Sequence, residues 1–390
     1  MRLSERMSRL GTETAFEVLA RARALEAEGR NIVHLEIGEP DFDTPHNIID
    51  AGVRALQNGY THYTPSSGMP ALLEAIVRDS EMRRGIAFKP KEVVVTPGGK
   101  PIMFYVLLAL ADTGDEVLYP NPGFPIYESM INFSGAKAVP IPMLEEHDFS
   151  PDVPKLLSLI NEKTRLIILN TPHNPTGSAL NYAELEAIAA EVVKHPDLMV
   201  LSDEIYSRML YEGTHVSIAS FPGMKDRTII LDGFSKIYAM TGWRLGYGIM
   251  PEDLAVQISR LMTNSNSCTA AFTQMAGVEA LTGPQIASEE MVEEFRKRRD
   301  HIVAGLNSIK GISCRTPKGA FYVFPNIRET GKTSKEFADL LLYEGGVAAL
   351  AGTAFGSYGE GYLRLSYANS IEQIQTAIER INAVVNHAAV

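Results

Sequence analysis

The sequence predicts an α/β fold: a mostly parallel central sheet flanked by helices, plus a smaller α/β domain towards the C-terminus. Three observations predict it. Between Val93 and Leu231, short apolar runs alternate with helix-length segments, the pattern of a parallel sheet covered on both faces. After Pro251 that rhythm gives way to a long charged helical stretch and then shorter strand-like runs. At 390 residues the chain exceeds what one hydrophobic core usually organises. The boundaries read as 45–285 for the large domain, with 1–44 and 286–390 forming the small one.

In order, Ala15 to Glu28 reads as an amphipathic helix closed by Gly29. Asn31 to Ile37 is a short strand, followed by the turn-rich GEPDFDTP. Ile48 to Gln57 and Ala71 to Arg84 are helical, separated by the exposed loop THYTPSSGMP. VVVT (93–96) leads through PGGK into a helix from Pro101, and EVLY (116–119) leads through PNPGF into a helix near Pro125 to Phe133. KAVPIP is a strand whose prolines place it towards an edge. LIILN (166–170), LMVLS (198–202) and TIIL (228–231) complete the strands, with helices at Asp152 to Asn161 and Tyr182 to Lys194. Beyond them lie a helix over Gln285 to Asn307, the strands GAFYVF, GVAALA and YLRLSY, and a last helix from Ile371 to His387. The N-terminal segment is expected to pack on this second unit.

A formal charge of −11 argues against a nucleic-acid surface. It leaves anionic ligands open, because a few local donors and helix N-termini hold phosphates and carboxylates. Cys268 and Cys314 show no metal-ligand spacing and are too few for a disulfide framework. No metal is expected. The N-terminus has no apolar targeting core, and no run of about 18 apolar residues occurs. No membrane and a cytoplasmic setting are the expectation.

In an open parallel sheet, ligands bind beyond the carboxyl ends of the strands. After VVVT come Gly98, Gly99 and Lys100 at a helix start, suited to a phosphate, although a plain turn uses the same residues. After EVLY comes Phe124, a ring that could cover a flat ligand or sit in a core. After LIILN comes Asn174 between two prolines, in a segment that marks a turn in any case. After LMVLS come Asp203 and Tyr206; the carboxylate needs a cation or a set of donors, and a helix cap or an ion pair would serve as well. After TIIL comes Lys236, with Ser235 beside it and Arg244 eight residues on. Alone, Lys236 reads as a loop lysine. One cofactor uses these residue types together, pyridoxal 5'-phosphate: a lysine for the Schiff base, an acid for the ring nitrogen and a phosphate cup.

The motifs GEPDFDTP, HYTPSSGMP, TPGGK, TPHNPTG, SDEIY, FSKIYAMTGWRLGY, GAFYVF and YLRLSYA, in this order, resemble the class I/II aminotransferases of pyridoxal-phosphate fold type I. The likeness spans nearly the whole chain and is nearest the prokaryotic aspartate and alanine aminotransferase branch. It implies Lys236 as covalent anchor and proton carrier, Asp203 at the ring nitrogen, Tyr206 and Asn174 at the ring hydroxyl, and Phe124 over the ring. Gly98, Gly99, Lys100, Ser235 and Arg244 fall at phosphate positions. Arg364, with the Gly38 backbone and Asn174, matches the grip on the substrate α-carboxylate. Tyr63 matches a tyrosine that reaches a neighbouring subunit's phosphate, which implies a homodimer with shared sites.

The sequence departs from that pattern in four places. Gly233 stands where many relatives have a phosphate-binding hydroxyl, and His173 replaces a commoner asparagine. Phe124 replaces tryptophan or tyrosine. Asn264 to Phe272 lacks the arginine used elsewhere to read a side-chain carboxylate. The implied activity is ping-pong transfer of an amino group between an L-amino acid and a 2-oxo acid. Two alternatives stand beside it: a carbon–sulfur β-lyase on the same fold, and a non-catalytic ligand-binding regulator.

Overall fold

A computed structural model describes residues 1–387. Helix α1 (Thr14–Ala27) precedes the two-residue strand β1 (Val33–His34), and α2 (His46–Gln57) and α3 (Pro70–Arg84) follow. Then come β2 (Val93–Thr96), α4 (Lys100–Leu110), β3 (Glu116–Asn121), α5 (Ile126–Ser134), β4 (Lys137–Pro142) and α6 (Val153–Leu159). The series continues with β5 (Thr164–Asn170), α7 (Tyr182–Val192), β6 (Met199–Asp203), β7 (Thr228–Gly233) and β8 (Gly246–Ile249). Helices α8 (Glu252–Ser265), α9 (Ala271–Thr282) and α10 (Ile286–Asn307) lead to β9 (Tyr322–Val323) and α11 (Ser334–Leu340). The last elements are β10 (Val347–Ala348), β11 (Leu350–Ala351), β12 (Leu363–Ser366) and α12 (Ile371–His387). Among the described residues, no helix is long and apolar enough to cross a membrane.

The central sheet has seven strands in the order β2-β8-β7-β6-β5-β3-β4. Strands β3 to β7 pair in parallel, while β8 runs antiparallel between β2 and β7. Successive side chains of a strand point to opposite faces. Leu166 and Ile168 of β5 accordingly join the cluster with Leu107, Ile131 and Ile258, while Ile167 and Leu169 join Leu156, Leu185 and Ile188 on the other side. Both faces are dry, which is why these strands read as unbroken apolar runs. The proline-bearing β4 lies at the edge, where missing amide donors do least harm.

The sequence ends the strand series at TIIL, but the sheet contains one more strand, β8. Two of its four residues are glycine, so β propensity hides it. The glycines are there for space. A Cβ on Gly246 would sit 2.5 Å from the backbone of Gly98 and Gly99, and one on Gly248 would sit 2.9 Å from Ile102. Gly233, paired with Gly246 across β7 and β8, has the same origin: its Cβ would meet the Gly246 Cα at 3.0 Å. A side chain there would require the facing backbone to give by a few tenths of an ångström.

Residues 31–37 contain a strand of only two residues, which pairs in parallel with β10, Val33 opposite Val347. Val33 and His34 of the N-terminal segment therefore pair with the C-terminal part of the chain. A separate sheet, β11-β12-β9, is antiparallel and carries Arg364 opposite Leu350.

Under the carboxyl ends of β6 and β7 lies a buried ion cluster that the sequence does not signal. Arg84 Nε donates to Glu204 Oε2 at 2.7 Å and its Nη2 to Asp232 Oδ2 at 2.6 Å. Ser217 and Ser202 donate to Glu204 Oε1 at 2.5 and 3.0 Å, and His215 lies 3.1 Å from Glu204 Oε2. Arg84 and His215 hold the Glu204 carboxyl well below its usual range despite burial that opposes them. Removing one partner of such a group strands the other charge. Arg84→Met is expected to lower unfolding stability by about 3–5 kcal/mol, read as a reduced denaturant midpoint.

Candidate active site

The strand register brings the candidate residues together. Parallel pairing sets Asn170 opposite Asp203 and Asp203 opposite Leu231, so β5, β6 and β7 end at one level. A cavity of about 360 Å³ opens there. Its lining includes Gly38, Gly99, Lys100, Phe124, Asn174, Asp203, Tyr206, Ser235, Lys236, Arg244 and Arg364. Tyr63 is not among them; it is 89% exposed, away from this chain's own cavity.

Lys236 Nζ donates to the Gly38 carbonyl at 2.5 Å and lies 5.7 Å from the Phe321 ring centre. Burial pushes its ammonium down to about 8, opposed by Glu39, while Arg364 and Lys100 push in the same direction as burial. A free amine is therefore accessible near neutral pH, the condition for a base or nucleophile.

Asp203 is buried, and its Oδ2 accepts from Tyr127 Oη at 2.6 Å while Oδ1 accepts from the Ile205 amide at 3.2 Å. Burial raises its carboxyl to about 6 against those two donors. It has no cationic partner among the described residues, so a protonated ring nitrogen facing it would supply one. Asn174 is also buried, with its Oδ1 unpartnered among those residues, an acceptor that a ligand donor would satisfy. Tyr206 Oη is 2.7 Å from Tyr322 Oη, and burial raises both phenols.

Opposite these groups is an anion cradle. Gly98 has φ 86°, and the sparsely populated φ of 55° at Arg244 turns its guanidinium onto that glycine; a Gly98 Cβ would lie 2.3 Å from Arg244 Nη2. Arg244 Nη1 donates to the Thr241 carbonyl at 2.7 Å, and Gly99 caps α4. Free amides of a helix N-terminus beside a guanidinium suit a phosphate dianion. Lys100 turns elsewhere: its ammonium pairs with Glu13 and lies 5.4 Å from the Phe124 ring centre. Phe124 packs edge-on against Tyr127, with centroids 5.6 Å apart.

Arg364 closes the far side. Its guanidinium is buried between the rings of Tyr322 and Phe355, 4.6 and 5.1 Å from their centres. One Nη donates to the Glu36 carbonyl, and Nε has no partner among the described residues. Sequence reasoning missed Tyr127, Tyr322, Glu13 and Glu39. Tyr127 follows Phe124 by three residues at the start of α5, and its ring packs edge-on against it. Tyr322 sits in GAFYVF, where an aromatic reads as core.

Residues 30–381 match the family model described as aminotransferase class I and II. The chain belongs to that family. It is 41% identical to an aspartate aminotransferase of Musicola paradisiaca, over 97% of this chain and 95% of that one. It is 40% identical to aromatic-amino-acid aminotransferase 2 of Thermococcus litoralis, over 99% and 98%. The solved structure of the aspartate aminotransferase from Rhizobium meliloti superposes with a TM-score of 0.95 at 36% identity, over 99% of both chains. This class I/II aminotransferase has the fold-type I architecture, uses pyridoxal 5'-phosphate and transfers amino groups. The unpartnered Asn174 Oδ1, the lone Asp203 carboxylate and the Gly98–Arg244 cradle fit that cofactor.

Proposed function

We propose that the groups converging on this cavity divide the transamination as follows, and that their convergence at one level of the sheet carries the reading. When bound, pyridoxal phosphate supplies an aldehyde that joins the substrate amine and a ring that draws electrons from the α-carbon. Lys236 Nζ is the covalent anchor, and once displaced it takes the α-proton as a free amine and delivers it to the cofactor carbon. Asp203 holds the ring nitrogen's proton in place, with Tyr127 and the Ile205 amide fixing the orientation of the carboxylate. Asn174 and Tyr206 bond the ring hydroxyl, and Phe124 covers one ring face. The amides near Gly98 and Gly99, with Ser235 and Arg244, hold the phosphate. The Arg364 fork binds the substrate α-carboxylate, beside Gly38 and Asn174. Gly38 has room for no side chain, because its Cβ would lie 2.2 Å from Tyr322 Oη.

The amino donors proposed are L-amino acids including aspartate, with 2-oxo acids as acceptors. Support comes from the names of the relatives, which span aspartate and aromatic amino acids. The side-chain end of the cavity is mixed in the same sense, with Phe16 and Ala15 beside the Lys100–Glu13 pair. Turnover with aspartate and 2-oxoglutarate is expected in a panel of amino acids against 2-oxoglutarate and pyruvate. Absence of turnover with every dicarboxylate would remove aspartate from the reading. The proposal includes residues 45–285 as the large domain, with 1–44 and 286–390 as the small one. It also includes a homodimer in which Tyr63 reaches the other subunit's phosphate; its exposure outside its own cavity supports that, and sedimentation tests it. A cytoplasmic setting accords with the free thiols of Cys268 and Cys314.

A further inference from the structure

Behind Arg364 runs a line of charges that ends at the surface. Glu36, whose carbonyl holds the Arg364 guanidinium, is wholly buried. Its Oε1 lies 2.7 Å from His34 Nδ1, while Oε2 has no partner among the described residues. On the other side of the imidazole, Nε2 lies 3.1 Å from Oε1 of Glu26 on α1, which is half-exposed. Two unpartnered polar atoms, Glu36 Oε2 and Arg364 Nε, are thus buried on neighbouring groups of opposite charge.

A buried carboxylate requires a counter-charge, and two candidates stand next to Glu36. If Arg364 supplies it, the guanidinium is already neutralised and a substrate carboxylate must compete for it. If His34 supplies it, Arg364 remains an unmatched buried cation. We propose that His34 is a positioning residue for substrate binding: as an imidazolium it holds Glu36 and so keeps Arg364 free for the carboxylate of the amino acid or oxo acid. The inference rests on the reading of Arg364 as the carboxylate-binding residue.

The surroundings of His34 support it. Its own strand brings Glu36 and α1 brings Glu26, while the paired β10 consists of Val347 and Ala348. The segment before α12 brings neutral Asn369, whose amide donates to the His34 carbonyl, and Arg380 of α12 is engaged with Asn31 and Gly346. Bonding to Glu36, against an opposing effect of burial, lifts the imidazole to about 9, with Glu26 adding to the rise. His34 is therefore cationic at neutral pH. Glu36 and His34 take no part in the covalent chemistry; they set how much positive charge Arg364 presents.

The test uses the holoenzyme at pH 7.5 and two carboxylates that cannot transaminate, succinate and 3-phenylpropionate, titrated calorimetrically; the tighter binder is carried forward. His34→Gln keeps a donor towards Glu36 and removes the charge. It is expected to weaken binding about tenfold and to raise KM for amino acid and oxo acid together, with kcat and the visible absorbance unchanged. Glu36→Gln is expected to bind as tightly as the parent or more tightly. The double variant H34Q/E36Q is expected to recover the parent affinity, which lost packing would not restore. Binding by H34Q within twofold of the parent, weakened binding by E36Q, or a double variant as weak as H34Q would each overturn the proposal. Arg364→Gln separates the two levels. If it leaves affinity unchanged, the carboxylate assignment of Arg364 fails and takes this inference with it; if it weakens affinity while H34Q does not, only the inference fails.

Discussion

Lys236→Ala is expected to abolish the visible absorbance of the purified protein and to lower transamination by about 10⁴-fold or more. Two losses combine. The covalent attachment disappears with Nζ, and so does the amine that carries the α-proton. The lysine reaches into the cavity from the loop after β7, where its ammonium meets one carbonyl, Gly38 O, and burial makes the neutral form accessible near pH 8. Among the described residues no other amine is placed to take over: Lys100, which also lines the cavity, is paired with Glu13. Retention of both absorbance and turnover would refute the anchor assignment.

Asp203→Asn is expected to move activity and stability in opposite directions. The amide oxygen can accept from the Ile205 N–H, and the amide NH2 that replaces Oδ2 can donate to Tyr127 Oη once that hydroxyl rotates, so the side chain keeps its place and the charge is lost. Without that charge the ring nitrogen loses its partner, and kcat should fall by about 10³-fold while the protein still binds cofactor. The cofactor-free protein should become more stable. The Asp203 carboxyl titrates near 6 when folded against an ordinary 3.8, so the fold favours its protonated form. Its ionisation therefore destabilises the cofactor-free fold as pH rises from about 4 through 6, and the penalty persists above that. At pH 7.5 removing it should raise stability by roughly 2–3 kcal/mol, and near pH 3.5 the difference should vanish. Denaturant melts of the two proteins at both pH values provide the check.

The large sheet was legible in the sequence because strands buried on both faces have to be apolar along their length, and the parallel-paired LIIL, LMVL and TIIL and the edge strand VVVT are. Its C-terminal ends then indicated where polar residues matter, and Asn174, Asp203, Tyr206 and Lys236 all line one cavity. Strand β8 was hidden because close backbone approach selects glycine at Gly246 and Gly248, and glycine is a poor strand signal. Gly233 looked like a lost phosphate ligand; in the register with Gly246 it is also a place of close backbone approach. The short strands β1 and β9 gave true positions and overlong spans, since runs such as GAFYVF stay apolar where they merely pack, while GVAALA, read as one strand, divides into β10 and β11 of two different sheets. Tyr127 and Tyr322 went unnoticed because a buried aromatic and a hydrogen-bonding phenol are written with the same letter. What separates them is the atom opposite, Asp203 Oδ2 in one case and Tyr206 Oη in the other.

The parallel pairing of Val33 with Val347 has a consequence for synthesis. Chains emerge N-terminus first, and units fold as they become complete. Every strand of the seven-stranded sheet has been translated by Ile249, so the cradle, Asp203 and Lys236 can assemble while β1 still waits for its partner. Arg364 and Tyr322 arrive only with the last part of the chain, and Glu36, made early, meets its guanidinium late. A nascent chain is therefore expected to capture cofactor before it can recognise an amino acid, with the vitamin-derived ring acting as an early folding template and substrate selectivity completed last.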